Sequence, residues 1–254
     1  MTDAPEDRTA LSWWFPRIQA AGLPVPRTEI VEMPAPAQHA AYCIVAGEQP
    51  GQDDMAAFRA FTSMIEDRAK AFGAPLFLRT DHTSGKHGWK DTCYVERATA
   101  IDRHVLHIVE YSEMAGIMGL PYDRWALREL LPVKPVGVCP TYGDMPVVRE
   151  WRCFVEDRSV YCRHPYWPMH ALEDGGWIGS EADYKELCST GPLDGRLCRE
   201  IFQWAWNAGA AVGGAWSVDI LETATGLFVT DMAEADKSYH WPGCENEHRW
   251  TRGR

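Results

Sequence analysis

The chain has 254 residues, a formal net charge of −11 and a sequence pI of about 5.3. Hydrophobic residues make up 46% of it and charged residues 24%, which is ordinary for a folded protein of one large or two modest domains. The acidic balance argues against a general nucleic-acid-binding surface. No apolar run is long enough to cross a bilayer, and the acidic start MTDAPEDRTA lacks the form of a signal peptide. We therefore expect a cytoplasmic protein without nucleic-acid or membrane partners.

The eight cysteines include no CxxC pair. Several of them lie within apolar strand or helix patterns, so buried thiols are favoured over a disulfide or zinc framework. A zinc or redox protein built on these cysteines is a weaker alternative, and the missing paired spacing argues against it. The twelve tryptophans indicate large aromatic packing units or ligand walls.

Helix and strand patterns follow one another through the N-terminal half of the chain. A helix is predicted from Leu11 to Ala21, followed by strands at TEIVEM and AAYCIVAG. Apolar residues then recur at helical spacing from residue 53 onward, and Gly73 ends that amphipathic helix. The strands PLFLRT and TCYVER come next, and residues 100–119 predict a further helix.

The loop between PLFLRT and TCYVER holds two glycines together with Thr83, Ser84 and Lys86. Such a loop can present backbone N–H groups and an ammonium to phosphate. It is not a Walker A motif, because the GxxxxGK[ST] spacing is absent and no helix obviously follows. Taken alone, a simple glycine hairpin with surface lysines is the favoured interpretation.

The C-terminal half predicts a strand at WALRELLPV, a Pro-broken loop, and a hairpin formed by VVREWRCFV and SVYCRHP. In the first strand of that hairpin, Glu150 and Arg152 share one face, and an exposed ion pair is the alternative to a functional role. Residues 170–183 are rich in glycine and acidic residues, so we predict a mobile loop there. Two helices, DYKELCS and DGRLCREIFQWAWNAGAAVG, are predicted after it.

The last quarter of the chain predicts a second hairpin, in which WSVDIL and GLFVTDM flank the turn-like ETATG. Each of these strands carries one aspartate near its end, Asp219 and Asp231. The hairpin is expected to bring the two carboxylates together, where they repel each other unless a cation lies between them. Hard-oxygen pairs of this kind suit Mg²⁺ that holds substrate phosphates. Two solvated strand-end aspartates are the alternative.

The order of these features, over about Trp13 to Trp241, resembles the ATP-grasp superfamily. It is most similar to a compact branch common in phage and bacterial genomes, in which arginine replaces the first nucleotide-binding lysine. A cell-division-cycle protein family that assists assembly of a translation initiation factor looks like a relative. The resemblance implies an α+β fold with two subdomains whose antiparallel sheets sandwich ATP, and a reduced N-terminal domain. The expected divisions are a disordered tail at 1–10, an N-terminal subdomain at 11–125, a C-terminal subdomain at 126–242 and a tail at 243–254.

The resemblance also implies which residues hold the nucleotide. Arg79 takes the place of the basic residue that contacts the α-phosphate, and Lys86 reaches the phosphates from the glycine loop, which also contains Ser84. Three residues of the hinge strand and its continuation would contact adenine and ribose: Glu129, Leu130 and Val133.

Catalytic, metal and acceptor roles are implied for the two hairpins. Arg152 would bind the γ-phosphate with Glu150 beside it, and Asp219 and Asp231 would hold Mg²⁺. Many relatives keep a third metal ligand, an asparagine, where this chain has Ala233. Glu234, Asp236 or water would take the place of that ligand in this chain. Lys237 and Ser238, just beyond, are expected to meet the acceptor substrate.

Together these residues imply an ATP-dependent carboxylate–amine ligase of the peptide type, which works through an acyl phosphate. Arg152, Lys86 and Glu150 are its expected catalytic residues, ATP and Mg²⁺ its cofactors, and a small-molecule or peptide carboxylate its substrate. The alternative is a non-catalytic ATP- and Mg²⁺-binding assembly chaperone with a protein partner. The missing asparagine and the small N-terminal region favour the alternative, and the intact set of basic and acidic residues favours catalysis.

Overall fold

The structure is a computed structural model that describes residues 6–115, 119–189 and 195–250. The ends of both predicted tails, at 1–5 and 251–254, lie outside the described residues, as does the end of the predicted helix at 116–118. The chain forms two compact units. The first unit comprises Arg27–Leu130 and Pro140–Met145, and the second comprises Met1–Pro26, Leu131–Cys139 and Pro146–Arg254.

Helices and strands account for most of the described residues. The α-helices are α1 (Leu11–Ala20), α2 (Ala35–Val45), α3 (Gln52–Phe72), α4 (Ile101–Met114), α5 (Met169–Asp174), α6 (Glu181–Cys188) and α7 (Arg196–Val212). The strands are β1 (Thr28–Glu32), β2 (Leu76–Thr80), β3 (Tyr94–Val95), β4 (Arg124–Glu129), β5 (Gly137–Cys139), β6 (Met145–Val147), β7 (Glu150–Glu156), β8 (Ser159–Pro165), β9 (Ala215–Thr223) and β10 (Gly226–Glu234).

The first unit is an antiparallel sheet of order β1-β4-β2-β3 that shares one hydrophobic core with α2, α3 and α4. Helix α3 buries Phe58, Phe61 and Ile65, which recur at three- and four-residue spacing and therefore lie on one face. They join Leu78 of β2 and Leu127 of β4 in the core. The predicted strands at TEIVEM, PLFLRT and WALRELLPV and the predicted helix after residue 52 are confirmed. TCYVER forms a strand of only two residues.

The strand predicted at AAYCIVAG is wrong, because this segment belongs to helix α2. A short apolar run lacks the periodicity that distinguishes a buried strand from a buried helix. The upstream sequence resolves the ambiguity: a proline in the first turn suits a helix start. Ala37, Ala40 and Ala41 then lie on one face, fully buried in the core of the first unit.

The second unit is an antiparallel sheet of order β10-β9-β7-β8. The predicted hairpins β7-β8 and β9-β10 are confirmed, and each is closed by a loop of two residues, shorter than the turns that the sequence suggested. Helix α7 packs against β7 and β9, and α1 packs against α7. Trp13 of α1 stacks on Trp216 of β9 with ring centroids 5.7 Å apart. A separate two-stranded sheet pairs β5 with β6.

The two faces of the second unit's sheet differ in chemistry. One face carries buried apolar residues and packs against α7, where Val155 of β7 meets the helix backbone at Gly209. Side chains alternate along a strand, so the residues between these lie on the opposite face. We call that opposite side the polar face, and its members are Glu150, Arg152 and Phe154 of β7, Cys162 and His164 of β8, Ser217 and Asp219 of β9, and Asp231 and Ala233 of β10.

The loop predicted at residues 170–183 is wrong over much of its length, since most of it lies in α5 and α6. Helix α6 starts with a capping box in which Ser180 and Asp183 satisfy each other's backbone N–H groups. The high glycine and acid content concealed this start, because the acidic residues serve as cap and first turn rather than as loop residues. Among the described residues, no helix combines the length and hydropathy that crossing a bilayer requires.

Gly209 marks the closest approach of α7 to the sheet and offers a test of this packing. A Cβ atom on Gly209 would lie 2.9 Å from Val155 Cγ2 and would collide with the backbone oxygen of Asp157. Gly209→Ala gains up to about 1 kcal/mol of helix propensity, and overpacking against a backbone that cannot rotate away costs about 1–3 kcal/mol. We expect a lower free energy of unfolding in urea.

The matched control for that substitution is Ala210→Ser on the exposed side of the same turn. It should change stability by less than about 0.5 kcal/mol. A Gly209→Ala variant as stable as the wild type would contradict the close packing of α7 on β7.

Candidate functional site

A β-bulge in β10 decides where Asp231 lies. Up to Val229, which pairs with Ile220, the two strands keep one register, and beyond the bulge Asp231 pairs with Asp219. Had the first register continued, Asp231 would stand opposite Val218, on the apolar side of the sheet. Because a slip of one residue moves every following side chain to the other face, the extra residue Thr230 is what brings Asp231 next to Asp219.

Thr230 also links the neighbouring strands by hydrogen bonds. Its hydroxyl lies 3.0 Å from Glu150 Oε1, to which it donates, and 3.3 Å from the backbone oxygen of Asp219. Glu150 is only 9% exposed. The bulge therefore fixes a carboxylate of β7 close to the aspartates of β9 and β10.

Arg152 and Asp219 form a partly buried, bidentate ion pair at the centre of the polar face. Arg152 Nε and Nη2 each donate to one oxygen of Asp219 at 2.8 Å, and the two side chains are 18% and 5% exposed. The guanidinium also lies over the ring of Tyr166, 4.7 Å from its centroid. Burial acts to lower the pKa of Arg152, but the Asp219 carboxylate outweighs it and the pKa lies above its ordinary value. Arg152 is therefore a fixed positive charge.

The carboxylates of the polar face suit a hard divalent cation. Asp219 and Asp231 are direct cross-strand partners, and the Cβ atoms of such partners are about 4.5–5.5 Å apart, close enough for two carboxylates to share one ion. Glu150 adds a third carboxylate next to Arg152, whose pKa it helps to raise. Three oxygen donors and a fixed guanidinium match the needs of Mg²⁺ and a phosphate chain.

The residues considered as replacements for the missing asparagine are placed differently. Glu234 stands opposite Trp216, one position off the polar face, and its carboxylate binds the Lys237 ammonium at 2.8 Å. Asp236 is exposed in the turn that follows β10. Of these carboxylates, Glu150 is the one on the polar face, where it accepts a hydrogen bond from Thr230.

The residues predicted to meet the acceptor lie just beyond β10, in the second unit. Ser238 shares a hydrogen bond with Ser217, with 2.6 Å between their hydroxyl oxygens. Ser217 belongs to the polar face, so this contact holds Ser238 beside it. Lys237 is more exposed and is held by Glu234.

Arg79 and the glycine loop lie in the first unit. Arg79 is 5% exposed in β2, and its Nε donates to the backbone oxygen of Thr80 at 3.0 Å. Burying a guanidinium requires hydrogen-bond partners, and the backbone oxygen of Asp81 also accepts from Arg79, at 3.5 Å. Arg79 is thus a buried arginine of the first unit, and its contact with a phosphate stays a prediction.

The loop after β2 is held in one shape by threonines. The Thr80 hydroxyl accepts from the backbone N–H of Thr83 at 3.0 Å, and Thr92 Oγ1 donates to the backbone oxygen of Gly85 at 2.7 Å. Gly85 adopts a left-handed conformation with φ of 59°, which favours glycine. Lys86, half-buried as is Ser84, then begins a short 3₁₀ turn.

His87 follows Lys86 in the same turn and stacks on Tyr142, with ring centroids 4.2 Å apart. Burial and then the neighbouring Lys86 ammonium lower the pKa of His87. The lowered pKa disfavours a second positive charge beside Lys86.

The predicted adenine-reading residues lie where the chain passes from one unit to the other. Glu129 and Leu130 end the long segment of the first unit, and Val133 lies in the second. Glu129 is fixed twice by the backbone of Arg27, whose N–H donates to Glu129 Oε1 at 2.7 Å and whose oxygen accepts from the Glu129 N–H at 2.9 Å. Roles of these three residues toward a nucleotide stay predictions, as do those of the other site residues.

Sequence reasoning missed two residues that shape the site, Thr230 and Tyr166. A bulge leaves no mark in the sequence beyond a polar residue in an alternating run, as in LFVTDM. Tyr166 lies one residue past the end of β8, and only the pairing of β7 with β8 brings it to Arg152.

No protein-family model matches the sequence, and no curated protein matches it either. Solved structures do match. The C-terminally truncated Cdc123 from Schizosaccharomyces pombe is similar with a TM-score of 0.53 at 12% identity, over 92% of this chain and 87% of that one. A second Cdc123 structure from the same organism gives a TM-score of 0.50 at 12% identity, over 89% and 83%.

A RimK domain ATP-grasp protein from Sphaerobacter thermophilus also matches, with a TM-score of 0.44 at 15% identity over 89% of this chain. The chain spans 60% of the length of that protein. At sequence identities of 12–15% these similarities show the fold alone. Two four-stranded antiparallel sheets with packed helices give the chain an α+β fold, as predicted, and this fold is similar to that of the two Cdc123 structures.

Proposed function

We propose that the chain binds ATP with Mg²⁺ and is an ATP-dependent ligase that joins a carboxylate to an amine. One observation carries the proposal: a partly buried, permanently charged Arg152 and the carboxylates of Glu150, Asp219 and Asp231 meet on one face of one sheet. The resemblance to ATP-grasp proteins implies a set of basic and acidic side chains of this kind around the nucleotide.

The charges of the proposed site residues complement those of ATP and Mg²⁺. A triphosphate is strongly negative, so an acidic chain of net charge −11 needs local cations to bind it. Arg152 would supply one cation to the γ-phosphate, and Arg79 and Lys86 would supply others. Mg²⁺ on Asp219 and Asp231 would neutralise the remaining phosphate charge.

The ion pair between Arg152 and Asp219 suits both side chains to exchange one charged partner for another when Mg–ATP binds. A buried charge that loses its partner costs several kcal/mol. Mg²⁺ at Asp219 and a phosphate at Arg152 would each replace one opposite charge by another, so neither side chain is left unpaired. Arg152 is thus held in the charged form that a phosphate ligand requires.

The proposed reaction has two displacements. An acceptor carboxylate oxygen bonds to the γ-phosphorus as the bond to ADP breaks, which gives an acyl phosphate. An amine then bonds to the acyl carbon, loses a proton, and inorganic phosphate leaves. Catalysis here requires positioning and charge stabilisation, for which Arg152, Lys86 and Glu150 are the proposed residues, and no enzyme nucleophile.

A second function, a non-catalytic ATP- and Mg²⁺-binding assembly chaperone, is favoured by one specific observation. Ala233 offers no ligand on the polar face, one residue pair along from Asp231, where many relatives have asparagine. A site with fewer metal ligands can bind Mg–ATP without orienting the γ-phosphate for transfer. A protein partner would then replace the carboxylate and amine substrates.

The first test is an ATP titration with and without Mg²⁺, in which the fluorescence of the twelve tryptophans reports binding. We expect saturable binding that Mg²⁺ strengthens. Asp231→Asn, which removes charge but keeps size, should abolish the Mg²⁺-dependent part of the affinity, because one proposed metal ligand is lost.

The matched control for that variant is Asp174→Asn, an exposed aspartate at the end of α5. It should bind Mg–ATP like the wild type. A wild-type affinity for Mg–ATP in Asp231→Asn would refute the metal role of Asp231, and no ATP signal in the wild type would refute both proposed functions.

The second test measures inorganic phosphate released from ATP across a panel of amino acids and dipeptides. A ligase releases phosphate only when a suitable carboxylate is present. Arg152→Lys keeps a charge but loses the bidentate geometry, and we expect turnover to fall about 100-fold or more.

Arg149→Lys is the control for the turnover experiment, since Arg149 pairs with Glu222 at 2.7 Å and is not a member of the polar face. Its turnover should stay within about twofold of the wild type. Saturable Mg–ATP binding without carboxylate-dependent release would favour the chaperone function over the ligase.

A further inference from the structure

Four side chains with metal-binding chemistry meet in the second unit, outside the residues proposed for Mg–ATP. Cys162 and His164 lie on β8, and His240 and Cys244 lie in the segment 239–250, which we call the C-terminal segment. One ligand atom from each of the four residues lies within 4.8 Å of all the others. All four residues are partly buried, so the cluster is more than an accident of exposed groups.

The spacing of these atoms is close to that of a tetrahedral metal site. Zn–S bonds of about 2.3 Å and Zn–N bonds of about 2.0–2.1 Å give ligand-to-ligand distances of about 3.3–3.8 Å. The Cys162 sulfur already lies 3.1 Å from His240 Nε2. Small side-chain rotations are therefore enough to close four ligands on one ion.

The two histidines are oriented as metal ligands. His164 Nε2 is buried and has no hydrogen-bond partner among the residues that the structure describes, and such a nitrogen is costly to bury unless something binds it. His240 Nδ1 lies 3.3 Å from the backbone oxygen of Trp241. A carbonyl on one ring nitrogen fixes the tautomer that leaves Nε2 for a metal.

We propose that Cys162, His164, His240 and Cys244 bind a zinc ion. Two thiolates and two imidazoles are the donor set of structural zinc sites, in which four protein ligands leave no position for water or substrate. The ion would therefore be structural rather than catalytic. The cysteine spacing concealed this site, because the ligands come as Cys-x-His on one strand and His-x₃-Cys far along the chain instead of as CxxC pairs.

A metal ion would do physical work at this place in the fold. The C-terminal segment forms neither helix nor strand over its described residues, so few backbone hydrogen bonds hold it. It is attached to β8 by the Trp241 indole, which donates to the Pro165 oxygen at 3.0 Å, and by Asn246, which donates to the Tyr161 oxygen at 3.3 Å. Zinc would fix the segment to the sheet with bonds far stronger than these.

Fixing the C-terminal segment also covers the edge of the sheet. Strand β8 is an edge strand, and an uncovered edge invites pairing with other chains. Trp250 stacks on Phe154 of the polar face with ring centroids 5.4 Å apart, and His240 packs on the same ring at 4.3 Å. The zinc ion would hold this aromatic cluster over the β8 side of the polar face, away from Asp231 on β10.

The other occupant that the geometry allows is a disulfide between Cys162 and Cys244. All eight cysteines lie within the described ranges and all are free. A disulfide would leave the two histidines without a ligand, and it would not account for the buried His164 nitrogen. Zinc is the occupant that engages all four groups.

The test is the metal content of the full-length protein after gel filtration, measured by inductively coupled plasma mass spectrometry. We expect one zinc per chain in the wild type and a loss of at least tenfold in Cys162→Ser and in Cys244→Ser. Cys188→Ser, a half-buried thiol outside the cluster, is the matched control and should keep its zinc.

A second measurement covers the case in which a serine variant fails to fold. Wild-type protein stripped with a chelator under reducing conditions is titrated with Co²⁺, and tetrahedral sulfur coordination should give visible d–d bands and a near-ultraviolet thiolate band. Added Zn²⁺ should abolish both. Wild-type protein without zinc and without these Co²⁺ bands would overturn the proposal.

Thiol counting separates zinc from a disulfide. Protein unfolded in the presence of a chelator and no reductant should show all eight thiols of the sequence. Six thiols, with a mass lower by two hydrogens, would overturn the proposal in favour of a disulfide. Because every readout is metal or thiol content, the result does not depend on the proposed ligase activity.

Discussion

The ion pair between Arg152 and Asp219 is the constraint around which the second unit is arranged. A guanidinium does not lose its proton in proteins, so burying it requires a carboxylate held close by. The antiparallel pairing of β7 with β9 puts the two residues directly opposite each other, and the 2.8 Å contacts follow from that register. Strand pairing and the site are therefore one structural fact: moving β9 by a residue would separate the two charges.

The same sheet serves two purposes, and alternation keeps them apart. Toward α7 it presents fully buried residues such as Trp151 and Trp216, which stabilise the unit through their area. The polar face carries the charged side chains of Arg152, Asp219 and Asp231 between those positions.

Much of this fold could be predicted because the spacing of apolar residues and the positions of turn-forming or helix-ending glycines indicated the same elements. The hairpin β9-β10 follows from alternation around a glycine turn, and α3 follows from apolar spacing that ends at a glycine. Helix α2 could not be separated from a strand, because AAYCIVAG is apolar on every side and its start lies upstream. The bulge at Thr230 and the cluster of Cys162 with Cys244 depend on contacts between distant residues, which neither local pattern nor motif spacing records.

The bulge in β10 has a consequence for how such chains are compared. Before Thr230 the strand is in phase with the core, and after it the strand is in phase with the carboxylates of the polar face. Replacing any single side chain leaves that phase unchanged, whereas losing one residue reverses it. Strand length, rather than residue type, thus specifies on which side of the sheet the aspartate emerges. An alignment with a relative that has a regular hairpin needs a one-residue gap here, without which the two acidic positions fall in different columns.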